Sequence, residues 1–202
     1  AVFLLGFIKR NGLLQQYGLC KSAVPARRFL YYLPLAVLMT RNFWNGAAFN
    51  ATLTETVCYI ICMLCVGFVE EVIFRGLLFR AMAEDNRNTA VVISSLTFGL
   101  GHLLNLVNGS GAGLAETLLQ VAGAVALGFL FVILFDRGGS LLPCILAHAV
   151  INITSIFANE MGLTLEKGMA MQLVLIAVAV AYALILTKTL PKNRHAKTHR
   201  QE

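Results

Sequence analysis

Glu70 and Glu71 stand side by side inside an apolar run, Ile60 to Phe74, that Arg75 closes. A single charge at the centre of a membrane helix costs roughly 2.5–3.5 kcal/mol on insertion scales, so a buried carboxylate pair needs partners and implies a purpose. Residues four apart share a helix face, so Glu71 and Arg75 can form an ion pair, whereas Glu70 is rotated by about 100° and needs another environment. The spacing divides labour: one carboxylate is held by a guanidinium and the other is available for proton transfer. A salt bridge that only fixes helix packing accounts for Glu71 and Arg75 and leaves Glu70 unexplained.

Two further polar sets lie on other segments. Phe98-Gly99-Leu100-Gly101-His102 puts an aromatic ring one turn before an imidazole, with two glycines that permit close backbone approach. His148-Ala149-Val150-Ile151-Asn152 puts an imidazole and a carboxamide on one face, between small flanking residues. Taken singly, each reads equally well as polar glue between helices. Taken together, Glu70, Glu71, Arg75, His102, His148 and Asn152 fall in broadly one layer, with Glu70 and His102 each roughly 20 Å along its helix. Glu55 and Glu116, the other acids in apolar segments, sit near segment ends with easy access to water.

The elements that carry these groups are set by composition. The chain has 202 residues, 58% hydrophobic and 13% charged, too little charge to coat a soluble globule. The expected fold is all-α: a polytopic transmembrane bundle of about six to eight helices around a polar intramembrane cavity. Crossing segments are read at 29–49, 53–83, 89–107, 114–135, 140–158 and 168–190. No internal repeat and no broken helix is evident. Residues 1–202 form a single integral-membrane domain in this reading, with a catalytic core at 53–158, a truncated helix at 1–8 and a basic cytosolic tail at 191–202. Asn108 to Gly113 reads as a flexible outer loop.

The net charge of +6 reflects topology and gives no footing for nucleic acid. Lys9, Arg10, Lys21, Arg27, Arg28, Arg80, Arg87, Arg137, Lys188, Lys192, Arg194, Lys197 and Arg200 fall on one side, against Arg41 and Lys167 on the other. That bias marks the crowded side, and with it the C-terminus, as cytosolic. Five cysteines in apolar settings give no disulfide framework. Cys58, Cys62 and Cys65 share a helix face and read as small apolar packing rather than a metal or redox site.

With these motifs in order, the sequence resembles the CAAX protease and bacteriocin-processing family of intramembrane endopeptidases, also called the Abi family. Its signature of Glu-Glu-x-x-x-Arg, Phe-x-x-x-His and His-x-x-x-Asn is met at Glu70-Glu71 to Arg75, Phe98 to His102 and His148 to Asn152. The resemblance covers roughly 53–158. It implies that Glu70 is the general base, activating water with help from His102. His148 and Asn152 would stabilise the oxyanion, and Glu71, Arg75 and Phe98 would support the site. A desolvated carboxylate suits work as base and then acid, and donors preset in a low-dielectric cavity stabilise an oxyanion by several kcal/mol.

The family has been described both as glutamate-dependent and as metal-dependent. A zinc version would use His102, His148 and Glu71 with an open position. No His-Glu-x-x-His helix is present, and the metal-free hydrolase is favoured, with no cofactor. The expected substrate is a membrane-embedded or lipid-modified peptide, CAAX-type or bacteriocin-related, met in the lipid bilayer of a bacterial cell. Two other classes compete: a non-catalytic immunity or partner-binding membrane protein, and a proton- or cation-coupled transporter. The transporter would call for broken helices and an internal repeat.

Overall fold

The computed structural model describes residues 1–103 and 113–191 and builds them as helices joined by turns. Seven α-helices lie among the described residues. They are α1 (Val2–Arg10), α2 (Leu33–Met39), α3 (Leu53–Ala83), α4 (Arg87–Leu100), α5 (Leu114–Gly138), α6 (Leu142–Thr154) and α7 (Leu165–Thr189). Helices α3, α5 and α7, of 31, 25 and 25 residues, are long and apolar enough to cross a bilayer. The molecule is a helical membrane bundle, as its composition requires.

Local chemistry sets the helix ends. Thr52 opens α3 with a capping box: its hydroxyl accepts from the Glu55 N–H, and the Glu55 carboxylate accepts from the Thr52 N–H. The Glu116 carboxylate accepts from the Gly113 N–H at the start of α5. Both outlying acids therefore serve as caps. At the far end of α5, Gly139 takes φ 69°, a left-handed turn that glycine adopts without steric penalty and that leads into α6.

Helix α5 is the hub, packed against α4 on one side and α7 on the other, while α3 packs on α6. Small residues make these approaches close. A Cβ on Gly128 would lie 3.1 Å from the Ser95 carbonyl oxygen of α4, and one on Gly67 would lie 3.0 Å from the Ala149 nitrogen of α6. The apolar core between α2, α5 and α7 includes Leu38, Leu130, Phe131, Leu175 and Leu186. In α3, the stretch Val72–Phe79 is π-helical, directly after Glu71.

Several expectations change. The crossing read at 29–49 is broken into a 3-10 turn (Ala26–Tyr32), the seven-residue α2 and a second 3-10 turn (Arg41–Phe43). At 1.5 Å per residue α2 is only about 10 Å long. Pro34 is tolerated in the first turn of α2 and no deeper, and Leu30, Tyr31 and Tyr32 before it adopt positive φ of 52°, 52° and 58°. The expectation of no broken helix therefore fails here. Helices α4 and α6, with 14 and 13 residues, are also shorter than full crossings. Cys58, Cys62 and Cys65 are exposed rather than packed inside, on the surface an apolar membrane helix turns outward. Of the loop expected at 108–113, residues 108–112 lie outside the described residues, as do residues 192–202 of the tail expected at 191–202.

Candidate active site

The three polar sets come from α3, from the end of α4 and its following 3-10 turn (Gly101–Leu103), and from α6. Glu71 is fully buried. Its Oε1 accepts from Arg75 Nη1 at 2.9 Å, one helical turn away, and from His148 Nδ1 at 2.9 Å, across from α6. The close seat of Gly67 on Ala149 brings α6 near enough for that second bond. Arg75, also fully buried, donates to the Gly128 carbonyl at 3.3 Å and lies with its guanidinium carbon 4.2 Å from the Phe98 ring centroid. Phe98 thus serves as a cation–π floor for Arg75. Its edges also meet His148, centroids 5.4 Å apart, and His102, centroids 5.8 Å apart.

Glu70 behaves differently. Its side chain is 38% exposed, and its Oε2 lies 3.8 Å from His148 Nε2. That is longer than a hydrogen bond and leaves room for an oxygen that touches both. His148 therefore stands between the two acids: Nδ1 donates to the buried Glu71, which leaves Nε2 facing Glu70.

A cavity of about 420 Å³ opens beside this cluster, within the ordinary range of ligand pockets. His102, His148, Asn152 and Phe98 line it. Glu70 is not part of its wall and reaches it through His148. His102 makes no ion pair with either glutamate among the described residues, so the imidazole in contact with the acids is His148. His102 also lies past the C-terminus of α4, where Gly99 and Gly101 end the regular helix.

The metal set His102, His148 and Glu71 is not assembled. Among the described residues no three His, Cys, Asp or Glu side chains gather closely enough to hold an ion. Glu71 Oε1 is already shared by Arg75 and His148, so neither Glu71 nor His148 Nδ1 is well placed as a ligand.

Sequence reasoning missed three features. The Glu71–His148 bond joins residues 77 apart and depends on how α3 and α6 are rotated. Arg41 and Gln172 also line the cavity, from segments that carry no motif. A second buried ionic cluster joins Asp136 to Arg87 at 3.1 Å and to Arg137 at 3.5 Å. Asp136, next to Arg137 at the end of an apolar run, was its available signal.

Fold and site together define a multipass helical membrane protein with titratable groups gathered beside a polar cavity. Residues 52–154, just over half of the chain, match the model of the family described as type II CAAX prenyl endopeptidase Rce1-like, and the chain belongs to that family. No curated protein and no solved structure matches it. The matched segment contains all three motifs. Membership makes the chain one of a family of membrane-embedded CAAX-type proteases.

Proposed function

We propose that this chain is an intramembrane endopeptidase in which Glu70 activates a water molecule for attack on the carbonyl carbon of a membrane-associated peptide. Glu70 takes the proton from the water as the new C–O bond forms. It returns that proton to the amine as the C–N bond breaks, which releases two shorter peptides and consumes one water. His102 assists at the cavity wall. His148, whose Nδ1–H is committed to Glu71, serves the oxyanion as an imidazolium that donates Nε2–H, together with the Asn152 amide. Glu71, Arg75 and Phe98 hold His148 in place. The observation that carries this reading is the placement of an accessible carboxylate 3.8 Å from an imidazole whose far nitrogen is anchored by a buried acid.

Glu70→Gln and His102→Ala test it. Both variants should fold like the parent, since Glu70 is part-exposed and His102 makes no ion pair, and both should lose cleavage by at least about a hundredfold. Full cleavage by Glu70→Gln would refute Glu70 as the base, and intact biological function in a Glu70→Gln variant that no longer cleaves would favour a non-catalytic immunity or partner-binding protein. A zinc route through His102, His148 and Glu71 fits the donor set poorly, and we expect cleavage to survive chelation with less than stoichiometric metal in the active protein. The positive-inside bias supports a cytosolic C-terminus, and we place the protein in a bacterial cell membrane.

A further inference from the structure

Asn152 sits on the last turn of α6, where a helix frays and its final carbonyls lack N–H partners. The Ser155 N–H, which a continuing α-helix would give to the Ile151 carbonyl, goes to the Asn152 carbonyl instead and opens a 3-10 turn (Ser155–Phe157). Asn42 takes the vacated place. From the 3-10 turn after α2, its amide nitrogen lies 2.6 Å from the Ile151 carbonyl oxygen and 2.9 Å from Thr154 Oγ1, which occupies both of its N–H donors.

Asn42 begins a longer attachment. Asn45 donates to the Asn159 carbonyl at 2.6 Å, and Asn50 to the Ala158 carbonyl at 2.8 Å. Between them the Ala48 N–H donates to the Phe157 carbonyl at 3.0 Å, and the Phe49 ring meets Phe157 edge to face. The stretch 42–50 is a strap over the end of α6, and each of its asparagines donates to carbonyls at or beyond that end. It lies ahead of the segment that matches the family. On the other side, Ser155 Oγ donates to the Asn152 carbonyl at 2.7 Å and accepts from the Tyr59 hydroxyl of α3 at 2.8 Å.

The two peptide planes that flank the Asn152 Cα are therefore both pinned, the one before it by Asn42 and the one after it by Ser155. Together they set the direction of the Cα–Cβ bond, and with it the aim of the carboxamide into the cavity. Asn45 and Asn50 suffice to tether a loop. Asn42 is the member that reaches the helix itself and lines the cavity with Asn152. We propose that Asn42 is a positioning residue for Asn152, holding the last turn of α6 so that the carboxamide stays directed at the oxyanion. This deepens the peptidase reading and rests on it, since a donor to an oxyanion has to be fixed within about 0.5 Å.

Asn42→Ala and Asn50→Ala, compared in the full chain in detergent on a membrane-anchored peptide, separate positioning from tethering. Both lose strap bonds and should lose similar thermal stability. Asn42→Ala alone should lower kcat, by about tenfold with KM within about twofold of the parent, the mark of an interaction felt only in the transition state. In an Asn152→Ala background the same change should cost less than about twofold, because the group it positions is gone. A loss carried by KM overturns the proposal, and so does an Asn50→Ala loss as large as that of Asn42→Ala, or a full tenfold repeated in the Asn152→Ala background. Should Asn42→Ala fail to fold, Asn42→Gln, which keeps the amide on an arm one methylene longer, takes its place with the same pattern expected. Amide hydrogen exchange decides the clamp without cleavage. Amides 152–157 should exchange about tenfold faster in the variant than in the parent, while 145–149 stay as they were. Unchanged exchange at the end of α6 overturns the proposal. Raised exchange in a chain whose parent cleaves nothing sinks the peptidase reading only.

Discussion

The Glu71–Arg75 pair can be taken apart in a way that separates a buried ion pair from ordinary packing. Both side chains are fully buried, 2.9 Å apart, and Arg75 is further fixed by the Gly128 carbonyl and the Phe98 ring. Removing one member of such a pair leaves the other as an uncompensated charge, at about 3–5 kcal/mol. Glu71→Gln should fall at the upper end, because the guanidinium cannot shed its proton. Arg75→Met should fall at the lower end. Methionine replaces the stem of the arginine, and Glu71 keeps the bond from His148 Nδ1.

The double variant is the discriminating one. It carries no net buried charge at this point, and the carboxamide oxygen introduced by Glu71→Gln can still accept from His148. Neutral replacements of a buried pair are often tolerated, so the double variant should be more stable than Glu71→Gln alone, a non-additivity of several kcal/mol. The assay is reversible unfolding of the parent, both singles and the double in mixed micelles, with the pairwise interaction energy taken from the cycle. Costs that simply add would refute the ion-pair account. So would an Arg75→Met variant within about 0.5 kcal/mol of the parent, the range of a surface change.

Two further outcomes follow from packing. Gly67→Ala puts a methyl group 3.0 Å from the Ala149 nitrogen and 3.1 Å from its Cα, so α6 must shift, and with it His148. Overpacking of about 1–3 kcal/mol outweighs the roughly 1 kcal/mol gained in helix propensity, and cleavage should fall more steeply than thermal stability measured on the same preparation. Tyr182→Phe removes a buried hydroxyl that donates to the Phe29 carbonyl at 2.7 Å. It should lower stability by about 1–3 kcal/mol in the same unfolding assay and leave kcat/KM within about twofold, since Tyr182 does not line the cavity.

What the residues disclose on their own follows helix geometry. The Glu71–Arg75 pair, the packing of Phe98 against His102 and the shared face of His148 and Asn152 are local relations fixed by 3.6 residues per turn, and the first two are met in the structure. The capping acids Glu55 and Glu116 were likewise marked by their positions near apolar ends. Relations between helices are another matter. Which imidazole meets the acids depends on the axial rotation of α3 against α6, and Gly67 and Ala149 fix that through close contact rather than through periodicity. The interruption at 26–43 is legible in part, since Pro34 and the polar residues from Arg41 on leave 29–39 only a half-crossing, but its three successive positive φ angles leave no trace in the apolar content. Arg41 read only as a charge on the sparse side of the topology. Its place in the cavity needed Gln172, 131 residues away, to make it visible.

The two adjacent glutamates decide the assignment of roles, because they are the same residue type one position apart and differ only in rotation. Rotation about α3 takes Glu71 inward, where two donors satisfy one oxygen and the exposure of its side chain is 0%, and leaves Glu70 at 38%. A buried acid engaged by a guanidinium and an imidazole has no free path for a proton. An exposed acid beside an imidazole nitrogen has one. Exchanging the two roles would require turning α3 by about 100°, which would drive Gly67 off Ala149 and bury an unpaired charge. The contact that excludes this is the backbone approach of α3 to α6, so the proposed assignment of base and anchor rests on packing at a glycine one turn away from the two acids.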